Sequence, residues 1–94
     1  MVKIDWDDLA LEDMEEIYEF IAKDSTQFTE IQMTKILDRI EVLRTFPLSG
    51  KMVLEFEQES IKEIIEGNYR IIYEIFSENS IGILRIFHHA RLLE

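Results

Sequence analysis

At Gly50 the spacing of apolar residues changes from three and four to two, and this change decides what the chain can fold into. Upstream, Ala10, Met14, Ile17, Tyr18 and Ile21 recur at helical intervals, as do Met33, Ile36, Leu37, Ile40 and Leu43. Downstream, "MVLEF", "IKEIIEG", "NYRIIYEIF" and "IGILRIFHH" read as strands. Segregated helices and strands predict an α+β fold, in which a helical hairpin buries its apolar stripes on one face of a sheet.

Local chemistry places the boundaries. "VKIDW" is a short first strand, and Asp7 or Asp8 caps a helix that runs to about Lys23. Asp24 or Ser25 restarts the chain, and with Asp24 as cap Gln27 would complete a capping box. The second helix reaches about Thr45, where Pro47 disfavours helix at Phe46 and Ser49-Gly50 supplies a turn. Gly67-Asn68 and Glu78-Asn79 are short enough to be hairpin turns, which predicts an antiparallel meander.

A chain of 94 residues has enough surface to bury for one core, so residues 1–94 are expected to form one domain. There is no cysteine, which excludes a disulfide framework and thiolate metal sites and makes the cytoplasm the expected compartment. The start of the chain is acidic where a secretory signal would be basic, and no stretch has transmembrane length. The formal net charge of −10 disfavours non-specific nucleic-acid binding. It is uneven, since residues 1–24 carry nine acids against Lys3 and Lys23, while the chain from Lys51 onward carries eight acids and five bases. Glu12, Glu15, Glu16 and Glu19 fall on the solvated side of the first helix, and an anion-seeking site belongs to the second half.

Two-residue turns would pair Ser77 with Ser80, Glu74 with Ile83, Ile72 with Arg85 and Arg70 with Phe87. Tyr69, Ile71, Tyr73 and Ile75 then share the helix face with Gly82, Leu84, Ile86 and His88. Glu63, Ile65, Arg70, Ile72, Glu74, Phe76, Ile83, Arg85, Phe87 and His89 collect on an open face. Arginines and a histidine among exposed Ile72, Phe76, Ile83 and Phe87 would make that face a docking surface. The plainer alternative for Arg85 is a surface ion pair with Glu74, diagonal to it across the strands. A histidine pair without cysteine or spaced carboxylates gives no metal site, and no cofactor is expected.

With these residues in place the sequence resembles the ParE/RelE superfamily, the toxin halves of bacterial type II toxin–antitoxin pairs. The resemblance lies in Trp6 and Ala10 ahead of "EDMEEIYEFIAKDS", and in "LRTFPLSGKMVLE", "IKEIIEGNYRIIYEI" and "ILRIFHHAR". Leu43, Phe46, Pro47, Gly50 and Lys51 match the family's Leu-x-x-Phe-Pro-x-x-Gly-Lys/Arg turn, and Tyr69, Arg70 and Tyr73 match its Tyr-Arg-x-x-Tyr strand. The resemblance implies a strand, two helices and an antiparallel sheet, with a cognate antitoxin wrapped over part of the open face.

It also implies one of two activities. In a RelE-like messenger-RNA endoribonuclease acting on the ribosome, Arg70 would clamp the phosphate, Glu63 would be the base, and His88 or His89 would serve near the end of the last strand. In a ParE-like inhibitor of DNA gyrase there is no catalysis, and Ile72, Phe76, Ile83, Arg85, Phe87 and Arg91 would contact the partner. The "ILRIFHHAR" ending is more like ParE. Lys51 and Lys62 are the only lysines of the sheet half, and a protein of charge −10 would enter the ribosome against repulsion. The expected function is therefore the ParE-like one, non-enzymatic. RNA cleavage is the alternative, and a diverged module that only binds its antitoxin or a second copy of itself is a third reading.

Overall fold

The computed structural model describes residues 1–88. Strand β1 (Lys3–Trp6) leads into helix α1 (Asp8–Ala22), whose cap is Asp7: its carboxylate accepts from the Leu9 amide at 2.9 Å. Helix α2 (Thr26–Glu41) is capped by Ser25, whose Oγ accepts from Phe28 N at 3.1 Å, so Phe28 and not Gln27 takes the third helical position and no capping box forms. A 3-10 turn at Val42–Arg44 ends the helical run before Pro47. Four strands follow: β2 (Lys51–Met52), β3 (Ile61–Glu66), β4 (Tyr69–Ser77) and β5 (Ser80–His88). Among the described residues no helix is long and apolar enough to cross a membrane.

The sheet order is β1-β5-β4-β3-β2. The last four strands form the expected antiparallel meander, and β1 adds to β5 in parallel. The Gly67-Asn68 hairpin closes with Glu66 opposite Tyr69, and Gly67 takes φ +58, a backbone conformation a side chain would strain. The helices lie on one face and bury Ala10, Ile17, Ile21, Ile36, Ile40 and Leu43 against Ile64, Ile71, Tyr73, Ile81, Ile83 and Ile86.

Two expectations about the sheet are corrected. The β4–β5 pairing begins at Ser77–Ser80 as expected but then slips by one residue, so that Ile75 meets Ile81, Glu74 meets Gly82 and Tyr73 meets Ile83. It returns to the expected register at Ile72–Arg85 and Arg70–Phe87. Phe76 is the extra residue on β4 and Leu84 the extra residue on β5, a pair of bulges that cancel. The Phe76 ring lies over Gly82, where an added Cβ would meet it at 2.6 Å. Between the bulges Ile83 turns into the helix-side core, and Leu84 packs on the other face. The predicted positions of these two residues are exchanged.

The second correction concerns the open face. "MVLEF" is strand only through Met52, because after Val53 the chain bends away: Phe56 N and Glu57 N both bond back to Val53 O, and Glu57 has φ +51. Residues 53–60 are thereby folded back beside the face expected to be bare. Val53, Ile61, Ile72 and Phe87 form a second small core there, with Leu84 packed against it. Ile72 and Phe87 are buried, and Phe76 remains exposed.

One side chain ties the helix–sheet junction together. Tyr73 is fully buried; its hydroxyl donates to Pro47 O at 2.8 Å and accepts from Gly50 N at 3.0 Å. The turn comes so close that a Cβ at Gly50 would lie 2.6 Å from that hydroxyl, which is why glycine is needed here. The Phe-Pro-x-x-Gly turn and the Tyr-Arg-x-x-Tyr strand are thus two halves of one contact. Tyr73→Phe keeps the ring but strands a buried amide and a carbonyl, and should lower unfolding stability by about 1–3 kcal/mol in urea titrations. An unchanged midpoint would mean that water or backbone movement replaces the hydroxyl.

Candidate functional site: the arginine cluster on the second sheet face

Arg70 projects from near the start of β4 onto the face away from the helices, next to Ile72 on that face of the strand. Ile65 lies opposite it on β3, which brings Glu63 to the diagonal position. The Arg70 Nε donates to Glu63 Oε2 at 2.9 Å, and one terminal nitrogen donates to the same oxygen. The other edge of the guanidinium takes Glu55, from the segment after β2, with Nη1 to Oε2 at 2.9 Å and Nη2 to Oε1 at 3.2 Å. This fork-to-fork arrangement is the strongest pairing available to an arginine. The Arg70 side chain is 9% exposed, Glu63 12% and Glu55 32%.

The charges follow from these contacts. Hydrogen bonding to Arg70 holds the Glu55 carboxyl below the usual glutamate range. The bond to Glu55, reinforced by Glu63, raises Arg70 above its ordinary value. One cation between two carboxylates leaves the cluster with one excess negative charge. Nε, Nη1 and Nη2 all donate to carboxylates, so a phosphate would have to displace Glu55 and then sit beside Glu63. As built, the cluster is a clamp: it fastens residues 53–60 to β3 and β4 over Ile72 and Phe87.

The other expected site residues are dispersed. His88 pairs with Tyr69, their rings edge to face with centroids 5.9 Å apart, on the helix side of the sheet. The sheet therefore separates His88 from Arg70 and Glu63. His89 and Arg91 lie outside the described residues. Of the residues expected to contact a partner, Ile83 is in the helix-side core, Ile72 and Phe87 are in the second core, and Phe76 is exposed over Gly82.

Arg85 is not paired with Glu74 in the way its diagonal position predicts. Its Nε donates to Asp13 Oδ2 of α1 at 2.8 Å and its Nη2 to Oδ1 at 3.1 Å, and its guanidinium stands 5.0 Å from the centre of the Phe87 ring. The bond to Asp13 is the main reason its pKa is raised. β1 ends opposite Ile83, and beyond that point Asp13 takes over part of the vacated edge: its Oδ2 accepts the Ile86 amide at 2.9 Å. Asp13 and Glu55 are the two residues that sequence reasoning passed over. Asp13 gave a signal, since it sits between Ala10 and Ile17 on the buried stripe of α1 and is itself 7% exposed. An acid at such a position requires a partner.

Beside Asp13 a groove of about 310 Å³ opens between α1 and the ends of β4 and β5, with Ile17, Phe20, Tyr69, Ile86 and Phe87 among its walls.

The family model of the ParE toxin of type II toxin–antitoxin systems, parDE, matches residues 4–93. No curated protein sequence gives a significant match. Among solved structures, a chromosomal ParDE toxin–antitoxin system from P. aeruginosa aligns with a TM-score of 0.74, covering 94% of this chain and 96% of that chain at 16% identity. At that identity the likeness is one of fold.

Two measurements probe the clamps. Because the Glu55 pKa is depressed in the folded state, its stabilisation is complete above the ordinary glutamate value of about 4.3 and is lost as pH falls through the folded value. Glu55→Gln should therefore melt below the parent at pH 7, and the two melting temperatures should converge on acidification; a gap that stays constant would place the effect outside the ion pair. Asp13→Ala leaves Arg85 and the Ile86 amide without their acceptor and should cost about 2–3 kcal/mol in urea unfolding, against little change for the exposed Glu12→Ala.

Proposed function

Because this chain belongs to the ParE toxin family of type II toxin–antitoxin systems, we propose that it acts by binding DNA gyrase and is silenced when its cognate antitoxin covers it. The observation that carries this reading is the occupied state of Arg70. RNA cleavage asks for a free cation facing a phosphate that gains charge, beside a base able to take a proton. Arg70 instead holds two carboxylates, and Glu63 is hydrogen-bonded to it rather than poised toward a substrate. His88 is on the opposite side of the sheet, so these groups do not surround one reacting phosphate. A protein of charge −10 is also better suited to a protein target than to the polyanionic interior of a ribosome.

In this reading the cytoplasm is the site of action, the antitoxin and gyrase are the partners, and a second copy of the chain is a third. The exposed Phe76 and the partly exposed Arg85 are the contacts it offers from the sheet, with Arg91 following in sequence. The test is a gyrase assay on relaxed plasmid, run beside primer extension on cellular messages after induction without antitoxin. Supercoiling should fall with added protein while messages stay whole, and Glu63→Gln should keep that inhibition once its folding is confirmed by circular dichroism. Cuts within translated codons that disappear in Glu63→Gln would instead establish an endoribonuclease. Normal growth and supercoiling with intact antitoxin binding would identify a module that has lost toxicity.

A further inference from the structure

The outer side of α2 carries a pattern that neither the core nor the gyrase reading uses. Thr29, Ile36 and Ile40 point inward. Opposite them Phe28, Ile31, Lys35 and Asp38, and then Val42 at the C-cap of α2 where the 3-10 turn begins, follow one another at intervals of three, four, three and four residues, and all five are exposed. Those intervals are the a and d positions of two heptads, the seam along which helices pair. The apolar members are open to a considerable degree, Phe28 at 58%, Ile31 at 47% and Val42 at 41%.

Charge selects what could cover this seam. Residues 8–22 hold six acids and no base, so two α1 surfaces would repel. Residues 26–44 hold Glu30, Asp38 and Glu41 against Lys35, Arg39 and Arg44, a net charge of zero in a chain of −10. Another copy of the same chain can approach here without the repulsion it would meet at α1. The order of the seam also fits itself when reversed. Two antiparallel helices place a against d, which sets Ile31 against Val42 of the second copy and Lys35 against Asp38 of the second copy, and the two-fold axis repeats both contacts. A parallel pair would put Lys35 against Lys35 and Asp38 against Asp38.

We propose that the chain self-associates through an antiparallel α2–α2 contact, with the reciprocal Lys35–Asp38 pairs setting its register between two Ile31–Val42 layers. A polar layer in such a seam costs stability and fixes alignment, and two heptads bury less than the roughly 800 Å² per partner of a standard interface. The dimer is therefore weak and concentration-dependent. It leaves the arginine cluster and the groove beside α1 uncovered, so it does not depend on the gyrase reading.

Sedimentation velocity over a range of protein concentrations tests it. The parent should pass from monomer to dimer as concentration rises. Lys35→Glu, which sets acid against Asp38 of the second copy, should weaken association by about tenfold or more, and so should Asp38→Lys. The double exchange Lys35→Glu with Asp38→Lys should restore it, because the pairing is rebuilt with its signs reversed. Ile31→Glu should leave the fold intact and give monomer throughout. A parent that stays monomeric at every concentration, or a dimer unaffected by these exchanges, would overturn the proposal.

Discussion

The Arg70 guanidinium is the contact on which the second half of the structure depends. It adds a side-chain tie between β3 and β4, which the backbone ladder already pairs, and fastens the bend after β2 to both strands through Glu55. Residues 53–60 include no strand; Val53 in the second small core, backbone bonds from Val53 N to Ile61 O and from Ile75 N to Ser60 O, and this ion pair attach them to the sheet. Without the pair Ile72 and Phe87 would lose cover and the sheet would show an apolar face to water. A buried ion cluster is a poor source of net stability compared with apolar packing, but removing one member of it is costly because the remaining charges stay buried. Glu55, the most exposed of the three, keeps the excess negative charge near solvent.

That contact is also the observation on which the gyrase proposal rests. An arginine beside a glutamate on an open sheet is what phosphate chemistry would require, and the sequence contains both. Here a second carboxylate, supplied by a segment that folds back across the face, already holds that arginine. The same logic applies to Arg85, whose charge is spent on Asp13 in holding α1 against the β5 edge.

The helices, the Gly67 hairpin and the Phe-Pro-x-x-Gly turn were legible in the sequence because each is set by local chemistry: apolar period, capping side chains, proline and glycine. The faces of β4 and β5 were legible at both ends and not in the middle. Two cancelling bulges leave the turn and the far end in the simple register, and nothing in an alternating pattern marks the slip between them. Gly82 opposite a phenylalanine-containing strand was the available hint, since a glycine within a strand often marks a bulge or a close approach. The cover over the second face was not legible, because a run such as "MVLEF" has strand composition and bends only through backbone bonds to Val53. Glu55 was hidden among Glu57 and Glu59, neighbours of the same charge, and only tertiary contact distinguishes it.

The central claim, that Arg70 is a structural clamp and not a phosphate site, is tested most directly by the NMR signal of its side-chain Nε–H during titration with single-stranded RNA. The bond to Glu63 should keep that proton slow to exchange, and its resonance should stay in place as RNA is added, while Glu63→Gln shifts it without RNA. A saturable movement of the Arg70 resonance on adding RNA, with loss of exchange protection, would contradict the clamp and return the cluster to the role of an active site.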